Sequence, residues 1–172
     1  MDEKFVALDF ETADYGRDSA CSLSLVTVQG TEIISQDTFL IRPPRKNFIF
    51  TYIHGITWDD VKKKPLFSEL WYEISPLLED ASFLAAHNAT FDKSVLNACC
   101  ENAGLSKPKQ CYLCTVKMAR AIWGIFPTKL PDVCGKLDIA LNHHDAASDA
   151  LACAKIVIEA HKRGVELDGY IR

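Results

Sequence analysis

Residues 4–10 (KFVALDF) form a short run in which apolar side chains occupy both alternating positions. A strand that is apolar on both faces is buried on both faces, as happens at the centre of a sheet that helices cover. Residues 22–29 and 32–41 form two further strand-like segments, and the turn Gln29-Gly30-Thr31 between them is typical of a hairpin. The chain therefore opens with a predicted sheet whose first strand is central.

The rest of the chain alternates predicted helices with short strands. Pro76 is expected to bend or shorten the helix that contains it, because proline lacks a backbone N–H. Gly104 and Gly164 follow two other helices at positions where glycine is favoured. The predicted helices are a short one opened by a Thr57-x-x-Asp60 capping box, then 68–78, 91–103, one ending near Trp123, 129–137 and 146–163, and the predicted strands are 83–86 and 111–116. This order predicts an α/β fold with a mixed sheet, in which residues 1–172 form one domain.

Composition and charge exclude several classes of protein. The 172 residues are 48% hydrophobic and 24% charged, which is typical of a globular domain with its own core. No apolar run approaches the ~20 residues that span a bilayer, and the first residues lack the pattern of a secretion signal. We therefore expect a cytoplasmic protein without membrane contact. A net charge of −4 argues against a non-specific nucleic-acid coat, but permits an enzyme that meets phosphates through bound cations.

The seven cysteines show no spacing typical of a disulfide framework. Cys111 and Cys114 form a C-x-x-C pair. As a zinc site the pair would need two further ligands at similar spacing, and as a redox pair it would open a helix after a strand. We favour thiols within an apolar strand.

Two carboxylates stand where the first strand ends. In a strand, residues i and i+2 point to the same face, so Asp9 and Glu11 project side by side. Adjacent carboxylates repel each other unless a cation or a proton lies between them. The pair predicts a functional site, with a polar strand end beside a loop as the alternative.

Asp92 and Asp149 lie on the apolar faces of two predicted helices. A carboxylate on an inward face is costly to bury without a partner. Each also lies in or near a first helical turn, where the helix dipole favours an acid without any function. Two such residues together with Asp9 and Glu11 weaken that alternative.

His144 precedes Asp149 by five residues, in the loop that enters the last helix. A histidine with an ordinary pKa of about 6.5 suits removal of a proton from water near neutral pH. A solvated loop histidine is the alternative, and spacing alone does not choose between His144 and His143. Four carboxylates suit Mg²⁺ or Mn²⁺ better than zinc, and two such ions form a common arrangement for phosphodiester hydrolysis.

Three segments resemble the exonuclease motifs of the DnaQ-like DEDDh superfamily, in the same order and over nearly the whole chain. They are residues 5–12 (FVALDFET), 86–92 (AHNATFD) and 143–150 (HHDAASDA), and residues 54–57 and 114–117 are also similar. Stand-alone exonucleases and the proofreading epsilon subunit of bacterial DNA polymerase III are the members that the chain most resembles. The resemblance implies a ribonuclease-H-like fold with a mixed five-stranded sheet flanked by helices, and two divalent cations, Mg²⁺ or Mn²⁺.

The resemblance also implies roles for individual residues. Asp9, Glu11, Asp92 and Asp149 match the four metal-binding acids of the catalytic centre. His144 matches the general base, because the family's histidine stands five positions before its last aspartate.

The same resemblance implies which residues contact the substrate. The terminal nucleotide is expected against Thr12, His54 and Ile56, although simple packing also explains Ile56. Asn88 and Phe91 are expected to shape the site. His87 is expected to be structural.

The function predicted from the sequence is metal-dependent 3′→5′ exonuclease activity on single-stranded nucleic acid, with DNA favoured over RNA. The products would be nucleoside 5′-monophosphates. A DNA polymerase or a repair protein is a candidate partner. One alternative is an exoribonuclease of the same fold, which uses the same chemistry on RNA. Another is a nucleic-acid-binding module without catalytic activity. An aspartyl-phosphate phosphatase is disfavoured because it would need an aspartate at position 11. The basic residues at 42, 45, 46 and 62–64 are interpreted as solvated surface, with guidance of the strand as the alternative.

Overall fold

The computed structural model describes residues 3–172, which contain one five-stranded mixed sheet with helices on both faces. The strands are β1 (Lys4–Thr12), β2 (Ala20–Gln29), β3 (Glu32–Leu40), β4 (Phe83–Ala86) and β5 (Cys111–Cys114). Their order across the sheet is β3-β2-β1-β4-β5. The first three strands are antiparallel neighbours, whereas β4 and β5 run parallel to β1. The predicted central position of the first strand is confirmed.

The helices are α1 (Thr51–His54), α2 (Trp58–Val61), α3 (Phe67–Glu79), α4 (Thr90–Ala103), α5 (Thr115–Trp123), α6 (Leu130–Leu137) and α7 (Ala146–Lys162). The capping box of α2 forms as predicted, since the Thr57 amide donates to Asp60 Oδ2 at 2.8 Å. The α1 turn was not predicted, because four residues are too few to show a helical pattern. Among residues 3–172, no helix combines the length and hydropathy that crossing a bilayer requires.

The expectation that Pro76 ends its helix early is wrong, because α3 continues through it to Glu79. Proline leaves the carbonyl of Tyr72 without its helical N–H partner. Tyr72 and Pro76 both lie on the exposed side of the helix, where water can satisfy that carbonyl. The predicted strand at 111–116 also ends earlier, at Cys114, because α5 begins at Thr115.

The core consists of two layers, one on each face of the sheet. Phe5 and Ala7 of β1 pack in the layer that contains α5, α6 and α7, whereas Val6, Leu8 and Phe10 pack in the layer that contains α3 and α4. Apolar side chains at both alternating positions therefore bury both faces of β1.

Cys111 and Cys114 are three positions apart on one strand, which separates their Cα atoms by about 10 Å. A disulfide needs Cα atoms within about 7 Å of each other. All seven cysteines are free thiols. The interpretation of Cys111 and Cys114 as strand thiols is therefore confirmed.

Candidate active site at the carboxyl end of the central strand

Three acids converge where β1 ends. The carboxylate oxygens of Asp9, Glu11 and Asp149 lie within 4.8 Å of one another. Asp9 and Glu11 point to the same face of β1, and α7 packs across that face with Asp149 in its first turn. Asp9 and Asp149, which are 140 positions apart in the chain, lie close together because α7 packs on β1.

Asp92 approaches the same strand end from the first turn of α4. Its side chain is buried, and its Oδ1 accepts a hydrogen bond from the Phe10 amide at 3.1 Å. Its negative charge is the largest electrostatic contribution from a neighbouring acid to the raised pKa of Asp9. The four acids predicted from the sequence therefore occupy one site.

The pKa values of these carboxyl groups rise because the groups are removed from water. Burial is the largest cause for each, and it raises the pKa of Asp9 well above its ordinary value, that of Glu11 to about 8 and that of Asp92 to about 7. Burial also raises the pKa of Asp149, whose Oδ1 is buried without a hydrogen-bond partner among the described residues. A divalent cation would satisfy that atom and neutralise the cluster.

The loop before α7 places two histidines against Asp149 in different ways. His143 Nδ1 lies 2.9 Å from Asp149 Oδ2, and the His144 amide donates to the same oxygen at 3.2 Å. The two rings stack with centroids 3.8 Å apart. The His144 ring makes no hydrogen bond to the described part of the chain, so its nitrogen atoms remain available to water or substrate.

The same loop offers a second possible donor set for a metal ion. Ligand atoms of His143, His144 and Asp149 also lie within 4.8 Å of one another. Two imidazoles and one carboxylate suit a transition metal such as zinc, whereas the all-oxygen set at the strand end suits Mg²⁺ or Mn²⁺. Both sets share Asp149.

One side of the carboxylates opens into a cleft of about 320 Å³, which we call the apolar cleft. Its walls include Thr12, His54 and Phe91 as predicted, together with Phe50 and Ile53, which sequence reasoning missed. No sequence signal indicates either residue, because the four residues of α1 are too few to show a periodic pattern.

The His54 ring is fixed in one orientation inside the apolar cleft. Its Nδ1 accepts from the Ile56 amide at 3.1 Å, so its Nε2–H donates to the Thr12 carbonyl, also at 3.1 Å. Burial lowers the pKa of His54, which favours this neutral form. Ile56 itself is not among the described residues that line the cleft, and it contributes through its backbone N–H.

The other side of the carboxylates opens into a cleft of about 550 Å³, which we call the basic cleft. Asp9, His143 and Asp149 line both clefts. The basic cleft is also lined by His87, Asn88, Lys117, Arg120 and Lys129. Asn88 has a positive φ of 68°, which asparagine tolerates better than most residues.

His87 makes two hydrogen bonds in the wall of this cleft. Its Nδ1 lies 2.8 Å from Thr115 Oγ1, and its Nε2 donates to the Thr128 carbonyl at 3.1 Å. These bonds tie the end of β4 to the start of α5 and to the turn before α6. The prediction that His87 is structural is confirmed.

A partly buried ion pair holds the loop after β1. The guanidinium of Arg45 donates to both oxygens of Asp14, with the Nε to Oδ2 distance 2.7 Å, and to Asp18 at 2.7 Å. The hydrogen bonds from Arg45 lower the pKa of Asp14 to about 2. The interpretation of Arg45 as solvated surface is therefore wrong, and sequence spacing gave no sign of a pair 31 residues apart.

A family model and individual relatives both match this chain over most of its length. The sequence model of the exonuclease family RNase_T matches residues 6–157. The PolC-type DNA polymerase III of Halalkalibacterium halodurans is 31% identical over 174 residues, which cover 98% of this chain. The PolC-type enzyme of Thermotoga maritima is 30% identical over 161 residues, covering 91%. The chain spans 12% of the length of each of these relatives.

Solved structures show the same fold. The nuclease domain of 3′hExo, described as a DEDDh family member bound to rAMP, matches with a TM-score of 0.83 and 19% identity, over 99% of this chain and 96% of that one. Exonuclease X in complex with 5′ overhanging duplex DNA matches with a TM-score of 0.77 and 23% identity, over 96% of both chains. The predicted ribonuclease-H-like fold is confirmed.

Proposed function

The chain belongs to the RNase_T family of exonucleases, and we propose that it removes nucleoside 5′-monophosphates from the 3′ ends of single-stranded nucleic acid, with DNA as the favoured substrate. The observation that carries the proposal is the cluster of Asp9, Glu11 and Asp149 at one strand end between two clefts, with Asp92 bonded to the Phe10 amide at the same strand end. We further propose that residues 1–172 act as a single exonuclease domain.

Two divalent cations, Mg²⁺ or Mn²⁺, fit the donor set. The acids offer only oxygen ligands, burial and the neighbouring acids raise the pKa values of Asp9 and Glu11, and Asp149 Oδ1 has no other described partner. Asp9, Glu11, Asp92 and Asp149 would hold the ions. When bound, such ions lower the pKa of the attacking water and stabilise the charge that develops on the leaving oxygen.

The two histidines take different roles in this proposal. His144 is the general base, because its ring has free nitrogen atoms at the edge of the site and its pKa is lowered, first by burial, so that it is neutral near pH 7. His143 holds Asp149 Oδ2 and leaves the other oxygen, Oδ1, free to bind a cation. A bond of this kind orients a metal ligand without touching the reacting atoms.

The apolar cleft receives the terminal nucleotide. Phe50, Ile53 and Phe91 offer surfaces for a base and a sugar, and the Thr12 backbone is held in place by His54. Contacts of this kind tolerate any base, so we expect little sequence preference. Ile56 supports the cleft through His54, and Asn88 lies at the boundary with the basic cleft.

The choice of DNA rests on the curated relatives, which are DNA polymerases, and the same relatives favour a polymerase as partner. The alternative is an exoribonuclease. One matching structure is of a 3′-exonuclease that recognises the histone mRNA stem-loop at its 3′ end, which keeps RNA as the second candidate substrate.

The test is a time course on 5′-end-labelled single-stranded DNA, duplex DNA and RNA of the same sequence, with Mg²⁺, Mn²⁺ or EDTA. We expect a ladder that shortens from the 3′ end, release of 5′-monophosphates, and no cleavage in EDTA. Asp9→Ala should remove the activity and leave the circular dichroism spectrum unchanged. Internal cleavage, or full activity of Asp9→Ala, would overturn the proposal, and faster loss of RNA than of DNA would select the exoribonuclease.

A further inference from the structure

The two clefts that meet at the carboxylates differ in chemistry. Among the described residues that line the apolar cleft there is no lysine or arginine. The basic cleft is lined by Lys117, Arg120 and Lys129, and its acids are Asp9 and Asp149 of the carboxylate cluster. In a chain of net charge −4, all lysine and arginine residues that line these two clefts therefore lie in the basic one.

These cations are free to bind an anion. The ammonium groups of Lys117 and Lys129 are exposed and have no carboxylate partner within residues 3–172. Arg120 uses its Nε to donate to Thr128 Oγ1 at 2.9 Å, which fixes the guanidinium above the exposed ring of Phe126.

The elements that carry the cations are held in one arrangement. Lys117 and Arg120 are three positions apart on α5, and Lys129 stands at the start of α6. The His87 ring joins the start of α5 to the turn before α6 through its bonds to Thr115 and Thr128. The positive charges therefore line a preformed wall.

We infer that the basic cleft binds the phosphodiester backbone of the strand on the 5′ side of the scissile bond, while the apolar cleft holds the terminal nucleotide. This inference rests on the proposed exonuclease function. The scissile phosphate would lie where the clefts meet, at Asp9 and Asp149, so that the next phosphates reach Lys117, Arg120 and Lys129. Phe126 gives a flat aromatic surface beside Arg120 on which a base can stack.

The test compares the double variant Lys117→Ala/Lys129→Ala with Lys63→Ala/Lys64→Ala. The control removes the same charge from exposed lysines that line a different depression, next to Glu69 and Glu73. Each protein is assayed with thymidine oligomers of two and eight nucleotides over a range of salt concentrations. The two-nucleotide substrate has only the scissile phosphate, so it places no further phosphate beside Lys117 or Lys129.

For the eight-nucleotide substrate, we expect the Lys117/Lys129 variant to lose roughly 2- to 30-fold in kcat/KM, as for two exposed charge contacts. The slope of log kcat/KM against log salt should become shallower by about 1.4, which corresponds to two phosphates on a single strand. The two-nucleotide substrate should be cleaved at the wild-type rate, and the control should match wild type on both.

Equal losses on the two substrates, or an eight-nucleotide rate equal to that of the control, would overturn the inference while leaving the exonuclease function intact. If wild-type protein cleaved neither oligomer, the proposed function would fail and the inference with it.

Discussion

Replacing Glu11 by glutamine is predicted to stabilise the metal-free protein at alkaline pH. The pKa of Glu11 is raised from 4.5 to about 8, first by burial and then by the charges of Asp149, Asp92 and Asp145. In the unfolded chain this carboxyl group ionises near its ordinary pKa. Between about pH 4.5 and 8 the folded state therefore retains a proton that the unfolded state has lost, and folding stability falls as pH rises through that window.

The size of the effect follows from the same shift. A rise in pKa from 4.5 to about 8 sets an upper limit of about 5 kcal/mol at pH 8 and above. Glu11 is partly exposed, so solvent screening reduces this to about 2–3 kcal/mol. For a domain of this size, that gain in the free energy of unfolding raises Tm by about 5–10 °C. At pH 4.5 the wild-type carboxyl is protonated like the amide, and the difference should be near zero.

The assay is thermal unfolding followed by circular dichroism at pH 4.5 and pH 8.5 in EDTA, repeated at pH 8.5 with Mn²⁺. In EDTA at pH 8.5 Glu11→Gln should unfold at the higher temperature. With Mn²⁺ the order should reverse, because the variant lacks one metal-binding oxygen. Glu32→Gln, which removes an exposed carboxylate at the start of β3, is the matched control and should show neither effect. A variant that is no more stable than wild type at pH 8.5 in EDTA would refute the reasoning.

Two further predictions concern the two histidines before α7 and the ion pair of Arg45. His144→Ala should lower kcat by roughly 10²- to 10⁴-fold with unchanged Mn²⁺ affinity in calorimetry, whereas His143→Ala should weaken Mn²⁺ binding by roughly 10- to 100-fold because Asp149 loses its orienting bond. The opposite pattern would exchange the two roles. Arg45→Ala should lower the free energy of unfolding at pH 7 by about 2 kcal/mol, less than for a fully buried pair because Arg45 is partly exposed, and this loss should shrink as pH falls towards 2 and Asp14 is protonated. Denaturant unfolding at pH 7 and pH 2.5 measures it, and equal losses at both would contradict the ion-pair account.

The parts of the fold that the sequence predicted are those set by local periodicity. The apolar side chains on both faces of β1 and the inward positions of Asp92 and Asp149 are visible in the order of residues alone. Helices α4 and α7 show a full apolar stripe and a following glycine, so their ends were predicted to within one or two residues.

The parts that were missed depend on contacts between distant segments. The bonds from Arg45 to Asp14 and Asp18 join two loops, and nothing in either segment indicates its partner. Ile53 lies in a helix of four residues, too short for a periodic pattern to predict. The difference between His143 and His144 depends on which of the two rings contacts Asp149, and residue spacing cannot show this.

The central claim is that acids from three separate segments jointly hold divalent cations. The most direct measurement is anomalous diffraction at the manganese edge from crystals grown with Mn²⁺. The account predicts two peaks about 3.5–4 Å apart, bonded to oxygens of Asp9, Glu11, Asp92 and Asp149. A single peak on His143, His144 and Asp149, or no peak at the end of β1, would contradict it.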